Sequence, residues 1–391
     1  MLGSSTVENE RSQPIKLWPF GVGFLILAVL FGVGVAAGGE LAQLMLAALQ
    51  TLPFVVLALL AYLGIERMWA KVLALLWLGL IVLGLGGTTL LLSLATVPGF
   101  TNIQPGQTPE FSRQDGLNLL AIFIGNVVVT GVAALGFIPA VRRRLSRVLP
   151  IDPDSFVHMI ALVTVVSCTL IALMPLLALG EPPLLTTVTN LQSQGRSLNE
   201  GQDEASQLRA TFYVLIWQIP GAIIAVGYLI RRSLRGALER LGLVRPTLRQ
   251  VLIGIGMALV LVVGATGLDW LINQVWSALG WARTDGDAFN DLMSFAINPL
   301  GAVVIGITAG LGEELSVRGV LQPRLGILLS NVFFTSLHGL QYNWDGLLSV
   351  FLIGLVLGLI RKRTNTTTSA ITHGVYDFVL VLMTALNFSF F

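Results

Sequence analysis

The sequence predicts an all-α membrane protein, a polytopic bundle of about eleven transmembrane helices with its N-terminus in the cytoplasm. Three observations carry that reading. Of 391 residues, 54% are hydrophobic and only 11% charged, with a mean hydropathy of +0.82. Soluble domains carry about 25% charge, so this chain cannot coat a water-facing surface. Apolar runs near the ~20 residues that a helix needs to cross about 30 Å of hydrocarbon recur from end to end. Between them, arginine clusters alternate with neutral or acidic connections.

Residues 1–16 form a polar tail with Glu8 and Glu10 and no small-residue cleavage site, so the run 17–37 reads as a retained anchor. Runs at 44–65 and 72–97 follow, and the fourth, 117–141, ends on Arg142, Arg143, Arg144 and Arg147. The fifth is 156–179. The sixth, 210–230, leads into Arg231, Arg232, Arg235, Arg240, Arg245 and Arg249. Runs at 251–272 and 299–320 precede two short ones at 326–340 and 346–360. Arg361, Lys362 and Arg363 then introduce the last run, 369–388. The opposite connections, 98–116, 181–209 and 273–298, are neutral or acidic, with Glu181, Glu200, Asp203, Glu204, Asp285, Asp287 and Asp291. Basic loops stay inside, which puts the N-terminus in the cytoplasm and the C-terminus outside.

This divides the chain into a cytoplasmic tail (1–16), a six-span region of unassigned role (17–230), a basic interfacial linker (231–249) and a C-terminal membrane region (250–391). The linker carries Leu234, Leu238, Leu241 and Leu248 among its arginines. It is either an amphipathic helix lying in the inner headgroup layer or an ordinary charged loop. With 23 Lys and Arg against 21 Asp and Glu, there is no basic face for nucleic acid. The expected partners are membrane lipids and a peptide or membrane protein. A single cysteine, Cys168, excludes a disulfide framework and a multi-cysteine zinc site.

A few ionisable residues fall inside the C-terminal apolar runs: Glu313, Glu314 and Arg318, then His338, then His373 and Asp377. Each charge at that depth costs roughly 2.5–3.5 kcal/mol, so such residues mark a functional site by default. Glu314 and Arg318 are four apart, as are His373 and Asp377, and so share helix faces. Glu313 points elsewhere. Gly306 and Gly310 leave the glutamate-bearing helix room for close packing, and Gly354 and Gly358 do the same for the tenth run. By contrast, Asn126, Gln218 and Pro220 read as packing or kink residues, and His158 as interfacial. Glu313 has the chemistry to take a proton from water for attack on an amide, with an imidazole to polarise the carbonyl. The same donors, Glu313, His338 and His373, form an alternative zinc set, although His-Glu-x-x-His is absent. Two further readings use the same charges: inert glue in a helix bundle, and a proton relay in a proton-coupled transporter.

Glu313-Glu314-Leu315-Ser316-Val317-Arg318, Phe334-Thr335-Ser336-Leu337-His338 and His373-Gly374-Val375-Tyr376-Asp377 resemble, in order, three signatures of the CPBP family of CAAX proteases and bacteriocin-processing enzymes. These signatures are Glu-Glu-x-x-x-Arg, Phe-x-x-x-His and His-x-x-x-Asn or Asp, here with Asp. The likeness covers roughly residues 236–391. It implies an all-helical intramembrane endopeptidase with a cavity open to the cytoplasm, in a multi-pass protein of a bacterial plasma membrane. By motif position it implies that Glu313 activates water, His338 assists, His373 and Asp377 stabilise the oxyanion, and Glu314 and Arg318 are structural. Substrates of the family include lipidated CAAX proteins. Some members are linked to immunity or partner binding, so a non-proteolytic scaffold is a further alternative. Metal use is left open by the motifs.

Depth sets one constraint. With an inner boundary near 322–326, Glu313 and His338 lie about 14–20 Å deep at 1.5 Å per residue. His373 is only a few residues inside its own boundary. The last helix must then begin earlier, around Thr364, or the others must tilt or break.

Overall fold

The computed structural model describes residues 18–97, 111–199, 201 and 203–388. The polar tail and most of the 98–116 connection, with Glu200, lie outside the described residues. Among these, regular structure is helical, apart from one isolated bridge between Tyr228 and Arg232. The N-terminal part comprises α1 (Trp18–Ala37), α2 (Gly39–Ala47), α3 (Leu52–Leu63), α4 (Met68–Leu94), α5 (Arg113–Ala134), α6 (Pro139–Leu145), α7 (Phe156–Leu179), α8 (Pro183–Gln192) and α9 (Glu204–Ala225). After α10 (Leu234–Leu241) come α11 (Leu248–Leu279), α12 (Gly286–Leu292), α13 (Pro299–Thr308), α14 (Gln322–Ser336), α15 (Trp344–Arg363) and α16 (Thr366–Ala385). Between α13 and α14 the backbone is π-helical, Ala309–Leu321.

Side chains start these helices where the chain leaves a loop. Ser112 and Asp115 form a capping box on α5, as do Thr247 and Gln250 on α11. Asn343 and Asn365 cap α15 and α16. Each cap satisfies backbone N–H groups that the helix itself leaves unpaired.

Eight helices among the described residues are long and apolar enough to cross a membrane, or nine if α2 and α3, bent by 46°, form one span. The expected count of about eleven is corrected at one place; the first run holds α1, Trp18–Ala37, whose 20 residues match the length of a span. The eighth and ninth runs join in one helical stretch, Pro299–Ser336, which is broken at Gly326. That glycine has φ 77° and ψ 172°, a region essentially closed to residues with a Cβ. The chain reverses there. Straight helix would hold Arg318 and Phe334 about 24 Å apart, yet the guanidinium lies 4.5 Å from the ring centre. The second arm of this hairpin is too short to cross the bilayer alone.

The linker is neither wholly helix nor wholly loop. Residues 234–241 form α10, with Ala237 and Leu241 buried against Leu315 and Ala222, and the chain then leaves the helix at Gly242. Two connections expected as loops hold short helices: α8 and α12 pack together through Leu185, Val188 and Ala288. Asn126 donates to Thr89 at 3.1 Å, and Pro220 lies inside α9, in keeping with packing roles.

Charge separates the two ends of the bundle. At one end, Pro150, beside the 142–147 arginines, packs on Gly326. Arg324 meets Tyr62, Arg231 pairs with Glu66 at 3.0 Å, and Arg240 donates to the Gly319 carbonyl at 3.2 Å. Thr366 donates to the Leu241 carbonyl, tying the start of α16 to the same end. At the other end, Ser197 and Asn199 bond to Asp291, and Thr284 to Asp345.

Candidate active site

Four helical segments build the site: the π-helical stretch, α14, α15 and α16. α13 and the π-helical stretch that continues it run antiparallel to α16 at very short range. A Cβ on Gly306 would lie 2.6 Å from the Gly374 carbonyl oxygen, and one on Gly310 would lie 2.7 Å from that of Ala370. Only glycine lets the backbones approach this closely. π-Helical turns are rare and recur at functional sites.

This approach brings Glu314 to His373. Glu314 is fully buried and holds three groups. Its Oε1 lies 3.1 Å from Arg318 Nη1 and 3.0 Å from His373 Nδ1, and its Oε2 accepts from the Ser369 hydroxyl. The Arg318 contact is ionic, its angle being off the line of a hydrogen bond. The other guanidinium nitrogen donates to the Gly354 carbonyl at 3.0 Å, and the plane stacks on Phe334. A carboxylate paired with Arg318 only accepts, so His373 donates from Nδ1. That fixes Nε2 as the nitrogen turned toward the remaining acids. Asp377 Oδ2 is 3.4 Å from it and Glu313 Oε2 is 3.9 Å away.

The adjacent glutamates differ in accessibility. The Glu313 side chain is 38% exposed and Asp377 21%, against 0% for Glu314. The structure thus brings together Glu313, Glu314, Arg318, His373 and Asp377. Among the described residues, no hydrogen bond or ion pair joins His338 to them. The His338 ring packs edge-on to Phe334 at 5.0 Å, and Phe334 in turn meets His373 at 6.0 Å, so both imidazoles touch one phenyl ring. His338 Nδ1 lies 3.1 Å from the Phe334 carbonyl. A carbonyl only accepts, so Nδ1 donates here too and Nε2 carries the free lone pair.

Among the described residues, no three of His, Cys, Asp and Glu are grouped to hold a metal ion, and the alternative zinc set of Glu313, His338 and His373 is not assembled.

Depth is consistent across the cluster. α16 begins at Thr366, three residues before the expected start, and the partner run breaks at Gly326. Both of the alternatives expected from the sequence occur, and His373 lies level with Glu314. Three contributors were not expected at the site from the sequence. Ser369 reaches Glu314 from the first turns of α16. Tyr342 stacks on His338 and Phe289 in the loop before α15. Its hydroxyl is pushed up by burial, then by Asp377 and Glu313, and therefore stays protonated beside the acids. Gln218 of α9 packs against Gly312, next to Glu313. A helix-facing polar residue in the sixth run was visible, but nothing in it named its partner.

The family model described as Type II CAAX prenyl endopeptidase Rce1-like matches residues 295–379. No curated protein and no solved structure matches the chain. The matched stretch runs from the approach to α13 through most of α16 and contains every residue of the cluster. Residues 295–379 of this multi-pass membrane protein are therefore similar to the Rce1-like type II CAAX prenyl endopeptidases, in agreement with the resemblance of its motifs to the CPBP signatures.

Proposed function

We propose that the protein is an intramembrane endopeptidase of the CAAX-processing class, cleaving a peptide bond with water activated by Glu313. One observation carries the choice of base: of the two adjacent glutamates, only Glu313 is accessible and free of Arg318. Glu313 takes a proton from water as the water oxygen attacks the scissile carbonyl. His373, protonated on Nε2 and steadied by Asp377, stabilises the oxyanion, with the neutral Tyr342 hydroxyl as a second donor. As the C–N bond breaks, Glu313 returns the proton to the leaving amine. His338 presents its Nε2 lone pair as an acceptor for the attacking water. Glu314, Arg318 and Ser369 hold the His373 ring in its orientation, with Nδ1–H donating to Glu314, as second-shell carboxylates do elsewhere. The substrate is a peptide or membrane protein, and the prenylated CAAX class fits both the matched family and the membrane depth of the cluster.

The test is cleavage of a prenylated CAAX peptide by purified protein. Glu313→Gln is expected to lower cleavage by roughly 10²–10⁴-fold, the usual worth of a general base, without changing the melting temperature. Wild-type cleavage by that variant overturns the mechanism.

A further inference from the structure

We infer that Arg232, Arg240, Arg324 and Arg361 form a binding site for a phosphate-bearing anion at the basic end of the bundle. Four separate segments supply them: the connection after α9, α10, the start of α14 and the end of α15. Arg324 is buried to 6% exposure, and its two terminal nitrogens reach the Val320 carbonyl and the Tyr62 hydroxyl. Arg240 donates to the Gly319 carbonyl and Arg232 to that of Val226. These acceptors are all neutral. Among the described residues, no carboxylate lies within 4.0 Å of any of the four; Glu66 pairs with Arg231 and Glu239 with Arg235 instead. The Nε atoms of Arg232 and Arg361 are buried without a hydrogen-bond partner.

The cost of this arrangement is visible at Arg240. Burial, then repulsion by Arg324, with Arg232 and Arg361 adding to it, hold its guanidinium down at about 9, from an ordinary 12.5. Buried like charges with unfilled donors are expensive unless a counter-charge completes them. A tetrahedral oxyanion fits, since guanidinium forks match phosphate oxygens. Exposed Leu234, Val244 and Leu248 surround α10 and the start of α11, so the site opens where lipid headgroups lie. The same chemistry is offered by the headgroup of an acidic phospholipid and by free phosphate.

The test uses the full chain, delipidated and reconstituted in nanodiscs of phosphatidylcholine with or without phosphatidylglycerol. Phosphatidylglycerol is expected to raise the melting temperature and to be retained through purification. Arg361→Gln, which removes a side chain with no hydrogen-bonded partner among the described residues, should weaken retention about tenfold or more. Arg240→Gln, which keeps a donor for the Gly319 carbonyl, should do the same. Arg235→Gln, exposed on α10 and outside the cluster, should leave retention unchanged. A shift with phosphatidylglycerol alone assigns the lipid headgroup as the source. An equal shift with inorganic phosphate in pure phosphatidylcholine, also lost in Arg361→Gln, assigns the free anion. No shift with either, or equal retention by Arg361→Gln and wild type, overturns the site.

Discussion

Glu313 and Glu314 are neighbours in sequence with opposite surroundings. Glu314 meets a cation, an imidazole and a hydroxyl in full burial, while Glu313 is 38% exposed and lies 3.9 Å from the other nitrogen of the same imidazole. Their neutralisation should therefore act through different observables. Glu314→Gln leaves Arg318 buried opposite a neutral amide, and breaking a buried pair in this way costs about 3–5 kcal/mol. The expected result is a clearly lower melting temperature in detergent, with cleavage lost alongside stability. Equal melting of Glu314→Gln and Glu313→Gln would show that the pair is not the structural member. Part of this was legible in the sequence. The four-residue spacings predict Glu314 with Arg318 and His373 with Asp377, and both contacts form. The bond from His373 to Glu314 was hidden because it joins residues 59 positions apart on different helices. No local periodicity encodes such a pair. Ser369 and Tyr342 were hidden for the same reason.

At the scale of elements, the site depends on two backbone devices. The first is the reversal at Gly326, which swings Phe334 back onto Arg318 and His373. Any side chain there meets both a positive φ and Pro150, whose Cδ lies 3.2 Å from the position of a Cβ. Gly326→Ala should cost about 1–3 kcal/mol and reduce cleavage by displacing α14. Gly267→Ala, a lipid-facing position in α11 with nothing within 4 Å of the new Cβ, should be neutral or stabilising by about 0.5–1 kcal/mol. Thermal melting and cleavage of the two variants decide the matter, and equal behaviour would remove the special role of the turn. The second device is the π-helical stretch through the Glu-Glu-x-x-x-Arg motif. Hydrophobic runs mark helices well but do not distinguish α from π winding, so this feature could not be read in advance. Nor could the hairpin be read, beyond the shortness of the ninth run. The small residues at Gly306 and Gly310 were a sound guide to close packing, because that constraint is local.

For the whole molecule, the apolar runs located nearly every long helix but overcounted the crossings, since length and hydropathy do not show where a chain turns back. Charge was the better guide to the large-scale arrangement. Arginines from sequence-distant connections gather at one end of the bundle and acidic connections at the other, as the alternation along the chain requires. The first six runs are not a detached appendage either: α9 seats Gln218 against Gly312, and α7 packs against α14. Which end faces the cytoplasm follows from the bias of basic loops toward that side. Cysteine labelling tests it directly, because the single native thiol, Cys168, is buried and provides a silent background. Arg245→Cys, exposed at the basic end, should react with a membrane-impermeant maleimide only in inverted vesicles. Asn290→Cys, exposed on α12, should react only in right-side-out vesicles. The opposite pattern would invert the protein in the membrane. It would place the arginine cluster on the far side, and it would require the substrate to reach Glu313 from outside the cell.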